Sequence, residues 1–429
     1  MNLDLTTDPA LRSWVPVPGE SDFPIQNLPL GIFRRPGDEP RLGVAIGESL
    51  IDLRALAEGG LLEGIAPRAR DVFCAPTLNE FLAAGRLVWR ATRERLSGWL
   101  REGDRTLHDA GLARAVVERR DATMLLPIAV ADYVDFYSSL EHATNLGRIL
   151  RPTGEPLLPN WRYIPIGYHG RAATVVVDDT PVRRPRGQLK PGDAPPEFEP
   201  SRALDFELEL AFVTGDGPAP PSGIPVACAR DYIFGVALLN DWSARDIQAW
   251  EYQPLGPFLG KSFATSLSPW IVSLDALEPF RVAGPLQEPP ALPHLATDGP
   301  EAFDIALEVT LSSQAMRAAN VAAQTICRTN FRSMYWNMSQ QLAHVSSNGA
   351  RVRAGDLYGS GTISGDDPGS YGSMIELTWR GARPLALADG TTRAFLNDGD
   401  EVVMRGWCAA PGCARIGLGE VRGRIEPSR

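Results

Sequence analysis

The sequence predicts a mainly β protein of the α+β class, with a small N-terminal unit ahead of a larger, strand-rich one. Three observations carry that prediction. Glycine and proline, 41 and 37 of 429 residues, punctuate the backbone and favour short strands and turns over long helices. Apolar and polar residues alternate over short runs, most regularly across 204–212. Helical spacing is confined to a few segments.

At roughly 100–200 residues per domain, the length suffices for more than one unit. The first unit, 1–124, opens with three short strands at 30–34, 41–46 and 49–53, the makings of a small barrel or sheet. A helix is expected from Thr77, where Thr77-Leu78-Asn79-Glu80 fits a capping box. Phe81, Leu82, Val88, Ala91, Trp99 and Leu100 then fall near helical spacing, and Gly103 ends the run. A polar stretch at 118–122 leads to Leu125-Leu126-Pro127, the candidate boundary, which leaves 125–429 as the second unit. Its helices are expected to open at Ser138, around 243–250 and across 331–345. Gly/Pro-rich segments, notably 185–200 and 280–300, punctuate this strand-rich unit.

Charge and cysteine content narrow the function. Forty-two Lys and Arg stand against 52 Asp and Glu, a net charge of −10. That balance, with no basic block, argues against nucleic acid or an anionic membrane as a partner. The longest apolar run, about 233–239, is too short to span a bilayer, and the first eight residues lack the pattern of a secretory signal. Five scattered cysteines (Cys74, Cys228, Cys327, Cys408, Cys413) form neither a disulfide framework nor a zinc motif. A cytosolic protein with reduced cysteines is expected.

The acidic residues ask for more than solubility. On the alternating strand, Leu204, Phe206, Leu208, Leu210 and Phe212 share one face, and Asp205, Glu207 and Glu209 the other. A solvated polar face explains that pattern as simply as a ligand site does. Two further acids sit at element ends: Asp135 just before a helix start, and Asp241 where an apolar strand runs out. If the fold gathers Asp135, Glu207, Glu209 and Asp241, their repulsion demands a cation or raised pKa values. An all-carboxylate set suits Ca²⁺, Mg²⁺ or Mn²⁺ rather than zinc. His142, one of five histidines, sits behind Ser138 and Glu141, which fit a capping box, and so falls on the second turn of a helix, near Asp135 and Tyr137. It reads as a general base or as an ordinary structural histidine.

Familiar nucleotide and hydrolase motifs fail on spacing. Gly256-Pro257-Phe258-Leu259-Gly260-Lys261-Ser262 is one residue short of a phosphate-binding loop, and Pro257 removes a cradle N–H. The glycines of 359–365 and 417–423 do not match a dinucleotide fingerprint, and no G-x-S-x-G or H-E-x-x-H occurs.

Longer motifs do match. Asp-Phe-Tyr-Ser-Ser at 135–139, His-Ala-Thr-Asn at 142–145 and Leu-Pro-Asn-Trp at 158–161 lie close together, followed by Gly-Tyr-His-Gly-Arg at 167–171. Leu-Asp-Phe-Glu-Leu-Glu at 204–209, Asn-Asp-Trp-Ser-Ala-Arg-Asp-Ile-Gln at 240–248, Gly-Pro-Phe-Leu-Gly-Lys-Ser-Phe at 256–263 and Ser-Gly-Thr-Ile-Ser-Gly at 360–365 complete the series. In this order they resemble the fumarylacetoacetate hydrolase family over nearly the whole chain. Stretches 190–200, 280–300 and 383–392 carry no family motif.

The resemblance implies an N-terminal SH3-like β-barrel and a larger C-terminal β-roll that forms a homodimer. It implies hydrolysis of the carbon–carbon bond of 4-fumarylacetoacetate, a small β-diketone dicarboxylic acid, to fumarate and acetoacetate, the last step of tyrosine and phenylalanine breakdown. By the same resemblance Asp135, Glu207, Glu209 and Asp241 are the ligands of a divalent cation, Ca²⁺ or Mg²⁺ with Mn²⁺ as a substitute. Lys261 and Thr265 line a second, Mg²⁺-type position beside Asp241. His142 is the catalytic base with Glu376 as its orienting carboxylate, and Lys261 and Gln248 donate to the oxyanion. Tyr137, Arg151, Tyr168, Gln248, Tyr252 and Thr362 contact substrate. Competing expectations are acylpyruvate hydrolysis, decarboxylation or isomerisation on the same metal platform, or an inactive metal-binding scaffold.

Overall fold

A computed structural model describes residues 5–429; the expectation about a secretory signal falls partly on residues 1–4, outside the described residues. The expected mainly β fold of the α+β class is what the chain adopts. Strands Leu30–Arg34, Arg41–Ile46 and Ser49–Asp52 form where expected, and Val116–Glu118 and Thr123–Leu125 complete a five-stranded antiparallel sheet around them. The helix expected from Thr77 is two helices, Asn79–Ala83 and Arg86–Leu100. Gly85, at φ +81°, breaks them, and Thr77 caps neither. The apolar spacing spans the break because both helices bury toward the same core.

An eight-stranded sheet carries the acids. Across it run Gly167–His169, Tyr133–Phe136, Leu357–Gly359, Leu208–Thr214, Ile233–Asp241, Thr265–Leu267 and Val175–Val177, with Val272–Ser273 also paired to Ile233–Asp241. Leu208–Thr214 and Ile233–Asp241 are buried on both faces, so they lack the solvated side that simple alternation implies. A second sheet of five strands, built on Ala306–Ser312, Glu401–Cys408 and Ile416–Glu426, lies behind it, and Phe206, Leu208, Leu238, Leu307, Met404 and Leu418 share the core that joins them. The other face of the large sheet packs on the N-terminal unit: Val213, Phe234, Leu239 and Leu357 join one cluster with Ile32, Leu53 and Phe81.

The alternating run at 204–212 is likewise not one strand. Leu204–Asp205 pairs with Ser243–Ala244, whereas Leu208–Thr214 pairs with Ile233–Asp241. The helix opening near Ser138 is Leu140–Leu150, capped by Ser139, whose hydroxyl accepts from the His142 N–H. The cap is therefore one residue later than expected. The expected 331–345 helix is a single 3₁₀ turn followed by Met338–Ser346, which Asn337 and Gln340 close with a capping box. All five cysteines are free. Among the described residues no helix is long and apolar enough to cross a membrane.

Candidate active site and cation centre

Strand register gathers the acids from three parts of the chain. Asp135 lies opposite Gly359, which also lies opposite Ala211, two residues beyond Glu209. Asp241 ends the neighbouring strand, opposite Thr265, and its N–H donates to the Glu207 carbonyl. One carboxylate oxygen from each of Asp135, Glu207, Glu209 and Asp241 falls within 4.8 Å of the others, and all four side chains are buried. A side chain at Gly359 would fill this cradle: an added Cβ would stand 2.8 Å from both Asp135 Oδ1 and Glu209 Oε2.

The cluster is short of positive charge. Lys261 Nζ donates to Glu207 and to Asp241 Oδ2, the latter at 2.7 Å. Arg245 donates to Glu207 Oε1 at 2.7 Å and to Asp205 Oδ2 at 2.8 Å. Five buried carboxylates, Asp205 included, thus face two buried cations. Burial, and then repulsion from Asp241, pushes the Asp135 carboxyl well above its ordinary range. Burial and the charges of Asp135, Glu207 and Asp241 do the same to Glu209. Burial works against Glu207 too, but Lys261 and Arg245 outweigh it and hold that carboxyl low. Asp135 Oδ1 and Glu209 Oε1 have no hydrogen-bond partner. Unpartnered buried carboxylate oxygens, a shared focus and an oxygen-only donor set fit a hard divalent cation.

A histidine–carboxylate pair lies beside this centre. His142 Nδ1 donates to Glu376 Oε2 at 2.6 Å, with both side chains buried. Burial alone would raise the Glu376 carboxyl, but His142, Ser373 and Asn145 hold it below its ordinary value. Asn145 donates to Glu376 Oε1 at 3.0 Å, and the Ser364 and Ser373 hydroxyls donate to Oε2. Glu376 is thereby fixed as an anion, and Nε2 is the imidazole nitrogen left to take up a proton. Glu376 sits in a short helix, Met374–Leu377, whose first three residues are buried.

Most of the remaining candidates surround these two centres. The Tyr137 ring meets His142 edge-on, centroids 5.4 Å apart. Tyr168, opposite Asp135, donates to Asp241 Oδ2 at 2.9 Å, and Thr265 Oγ1 donates to Asp241 Oδ1 at 3.3 Å. Gln248 accepts from Arg245 through Oε1, which leaves its amide N–H groups for another acceptor. Thr362 is buried in the loop after Gly359, whose Gly361 N–H donates to Glu209 Oε2. Arg151 Nη2 donates to the Pro156 carbonyl while its buried Nε has no partner. Tyr252 stands apart: it is over a third exposed at a helix end, and its hydroxyl accepts from Gln253.

Asn145 and Arg245 carry no site role in the sequence reading, and Asp205 appears there only as one of three acids on a strand face. Asn145 lies one helical turn beyond His142, a spacing that was visible in the sequence. Arg245 carried no signal beyond its place in a long motif. Asp205 was placed on the face of Glu207 and Glu209, but the strand break turns its carboxylate to backbone N–H groups of 374–375.

Comparison with known proteins agrees with this architecture. Residues 26–127 match the fumarylacetoacetase N-terminal family and residues 133–426 the fumarylacetoacetate (FAA) hydrolase C-terminal family. A curated fumarylacetoacetase from Homo sapiens is 49% identical over 97% of this chain and 99% of its own. Those from Caenorhabditis elegans and Arabidopsis thaliana are 48% and 47% identical over the same share, covering 100% and 99% of the relatives. Among solved structures, a fumarylacetoacetate hydrolase from Exiguobacterium antarcticum superposes with a TM-score of 0.50 at 16% identity, covering 94% of this chain and all of that one. The chain belongs to the fumarylacetoacetate hydrolase family.

Proposed function

We infer that this protein hydrolyses the carbon–carbon bond of 4-fumarylacetoacetate, giving fumarate and acetoacetate. What carries the reading is a buried His142–Glu376 pair beside a four-carboxylate centre, in a chain whose curated relatives are fumarylacetoacetases over nearly their whole length. Asp135, Glu207, Glu209 and Asp241 would hold the cation, with Lys261 and Thr265 beside Asp241 flanking a second, Mg²⁺-type position. When bound, the cation supplies Lewis-acid polarisation of a β-diketone and charge stabilisation.

The protein's own groups account for the proton and the oxyanion. His142 Nε2 takes a proton from water as the water oxygen bonds to the carbonyl carbon, and Glu376 stabilises the imidazolium that results. Lys261 and the Gln248 amide donate to the carbonyl oxygen as it gains charge, where one lost donor typically costs about 10²–10³ in rate. The bond between that carbon and the neighbouring methylene then breaks, and the proton on His142 passes to the departing carbon. Arg151 pairs with a terminal carboxylate through its planar fork, and Tyr137, Tyr168, Tyr252 and Thr362 shape the remaining contacts. Ca²⁺ or Mg²⁺ is our assignment for the ion, with Mn²⁺ as a functional substitute, and a cytosolic homodimer belongs to the same reading.

The test is loss of fumarylacetoacetate absorbance with purified protein before and after EDTA and on restoring Ca²⁺ or Mg²⁺. Turnover that needs the added cation is expected. Full activity after chelation overturns the cation's role, and no turnover under any condition overturns the substrate.

A further inference from the structure

Asp205 is a buried acid that neither the cation centre nor the proton-transfer pair uses. Its relative exposure is 0%, yet no oxygen of it joins the four that converge. A buried carboxylate is costly unless its oxygens are satisfied, and those of Asp205 are met from two directions. Oδ1 accepts from the Met374 N–H at 2.6 Å; Oδ2 accepts from the Ile375 N–H at 3.1 Å and from Arg245 Nε at 2.8 Å. Met374 and Ile375 open the short helix that carries Glu376, the hydrogen-bond partner of His142. The other arms of Arg245 reach Glu207 and Gln248. Asp205 thus ties the backbone under the base to the arginine that reaches Glu207 and Gln248.

The surrounding backbone leaves this tie little slack. Glu207 bridges Ser373 in antiparallel fashion, and the Leu208 N–H donates to the Gly372 carbonyl. The segment bearing Glu376 therefore runs alongside the segment bearing Asp205 and Glu207. The backbone pairing sets their spacing, and the Asp205 carboxylate sets how the helix start is turned relative to Arg245.

We propose that Asp205 is a positioning residue, which holds the His142–Glu376 pair in register with Glu207 and Gln248 through Arg245. The proposal rests on the hydrolase reading for its kinetic consequence, but not for its structural one. Asp205→Asn probes it with little change of volume, because Asn keeps one acceptor oxygen and turns an N–H₂ toward donors that need the other. Losing a group that orients a catalytic centre from behind typically costs 10–100-fold in activity.

The expected result for Asp205→Asn is kcat lower by roughly that factor, with KM and calorimetric Ca²⁺ affinity within about threefold of wild type. The low-field proton signal of His142 Nδ1–H, which Glu376 protects in the wild type, should broaden or vanish. A kcat within threefold of wild type, an unchanged Nδ1–H signal, or a kcat loss matched by equal loss of Ca²⁺ affinity overturns the proposal. If Asp205→Asn fails to fold, Arg245→Lys tests the tie from its other end. It keeps a cation near Glu207 but loses the fork that reaches three partners, so the same signal should weaken, and an unchanged signal overturns the proposal. Wild-type protein inactive on fumarylacetoacetate removes the hydrolase reading alone, because the Nδ1–H signal needs no substrate.

Discussion

His142 owes its availability as a base to the groups behind it. Glu376 holds Nδ1, and Asn145, Ser364 and Ser373 hold Glu376, so the imidazole has one tautomer and one free nitrogen. His142→Ala should lower kcat by about 10²–10⁴ while fold and Ca²⁺ binding persist. Circular dichroism, calorimetry and steady-state kinetics on one preparation check this, and near-normal turnover in a folded variant would remove His142 as the base. That the histidine lies on a helix near Asp135 was legible in the residues, whereas Glu376 as its partner, 234 positions away, came only through the family motifs, because nothing local marks Glu376 as buried. A second residue matters for stability rather than chemistry. Burial pushes the Asp178 carboxyl from its usual 3.8 up to about 6. A carboxyl that is harder to ionise when folded binds its proton more tightly in the native state. Its contribution is therefore most favourable below about pH 4, declines as pH rises to about 6, and stays low above that. Asp178→Asn retains Oδ1 as acceptor for the Arg422 N–H, so it should stabilise the protein at pH 7 by up to about 2 kcal/mol and leave pH 4 nearly unchanged. Thermal unfolding at the two pH values measures the difference, and equal shifts at both would contradict the sign.

Elements in this protein work by stopping at the right residue. The alternating run of 204–212 breaks between its two strands, so Glu207 and Glu209 turn toward the cation centre while Asp205 turns toward the helix start at 374. Period-2 alternation was legible; the break was not, because it depends on which neighbour each half finds. Gly359 shows the same dependence on close approach. Its strand runs between the one carrying Asp135 and the one carrying Glu209, and both carboxylates lean over the space where a side chain would begin. Gly359→Ala should weaken Ca²⁺ binding by at least about tenfold, since neither buried carboxylate can withdraw without leaving the other ligands. Calorimetric titration decides it, and unaltered affinity would mean that the cradle gives way cheaply. Gly361, at φ +78°, permits the turn that brings its N–H to Glu209; an added Cβ would lie 2.3 Å from the Phe136 carbonyl oxygen.

At the scale of the molecule, the N-terminal unit covers the face of the large sheet opposite the core it shares with the second sheet. Val213, Phe234, Ala237, Leu239, Ile271 and Leu357 are buried in one cluster with residues of the first hundred. We take 124/125 as the division between the units, but a chain of 125–429 alone would expose that face. It should aggregate more readily than residues 1–429 under the same conditions, as centrifugation and light scattering would show; a 125–429 chain as monodisperse as 1–429 would mean that the face is not held by the N-terminal unit. The surplus of ten negative charges acquires a local meaning at this scale, because part of it is folded inward around an uncompensated centre. By itself the sequence determined the class of fold, the first three strands, the acidic residues worth watching and, through long motifs, the family. Only the tertiary structure decided how the four acids named through those motifs converge, that Asp205 leaves them for the backbone beneath Glu376, and that Arg245 joins the two sides. The physical reason is register. Alternation and motif spacing are local, whereas the alignments Asp135 to Gly359, Leu208 to Asn240 and Asp241 to Thr265 are set by burial across the whole sheet, where a one-residue slip turns every side chain to the other face.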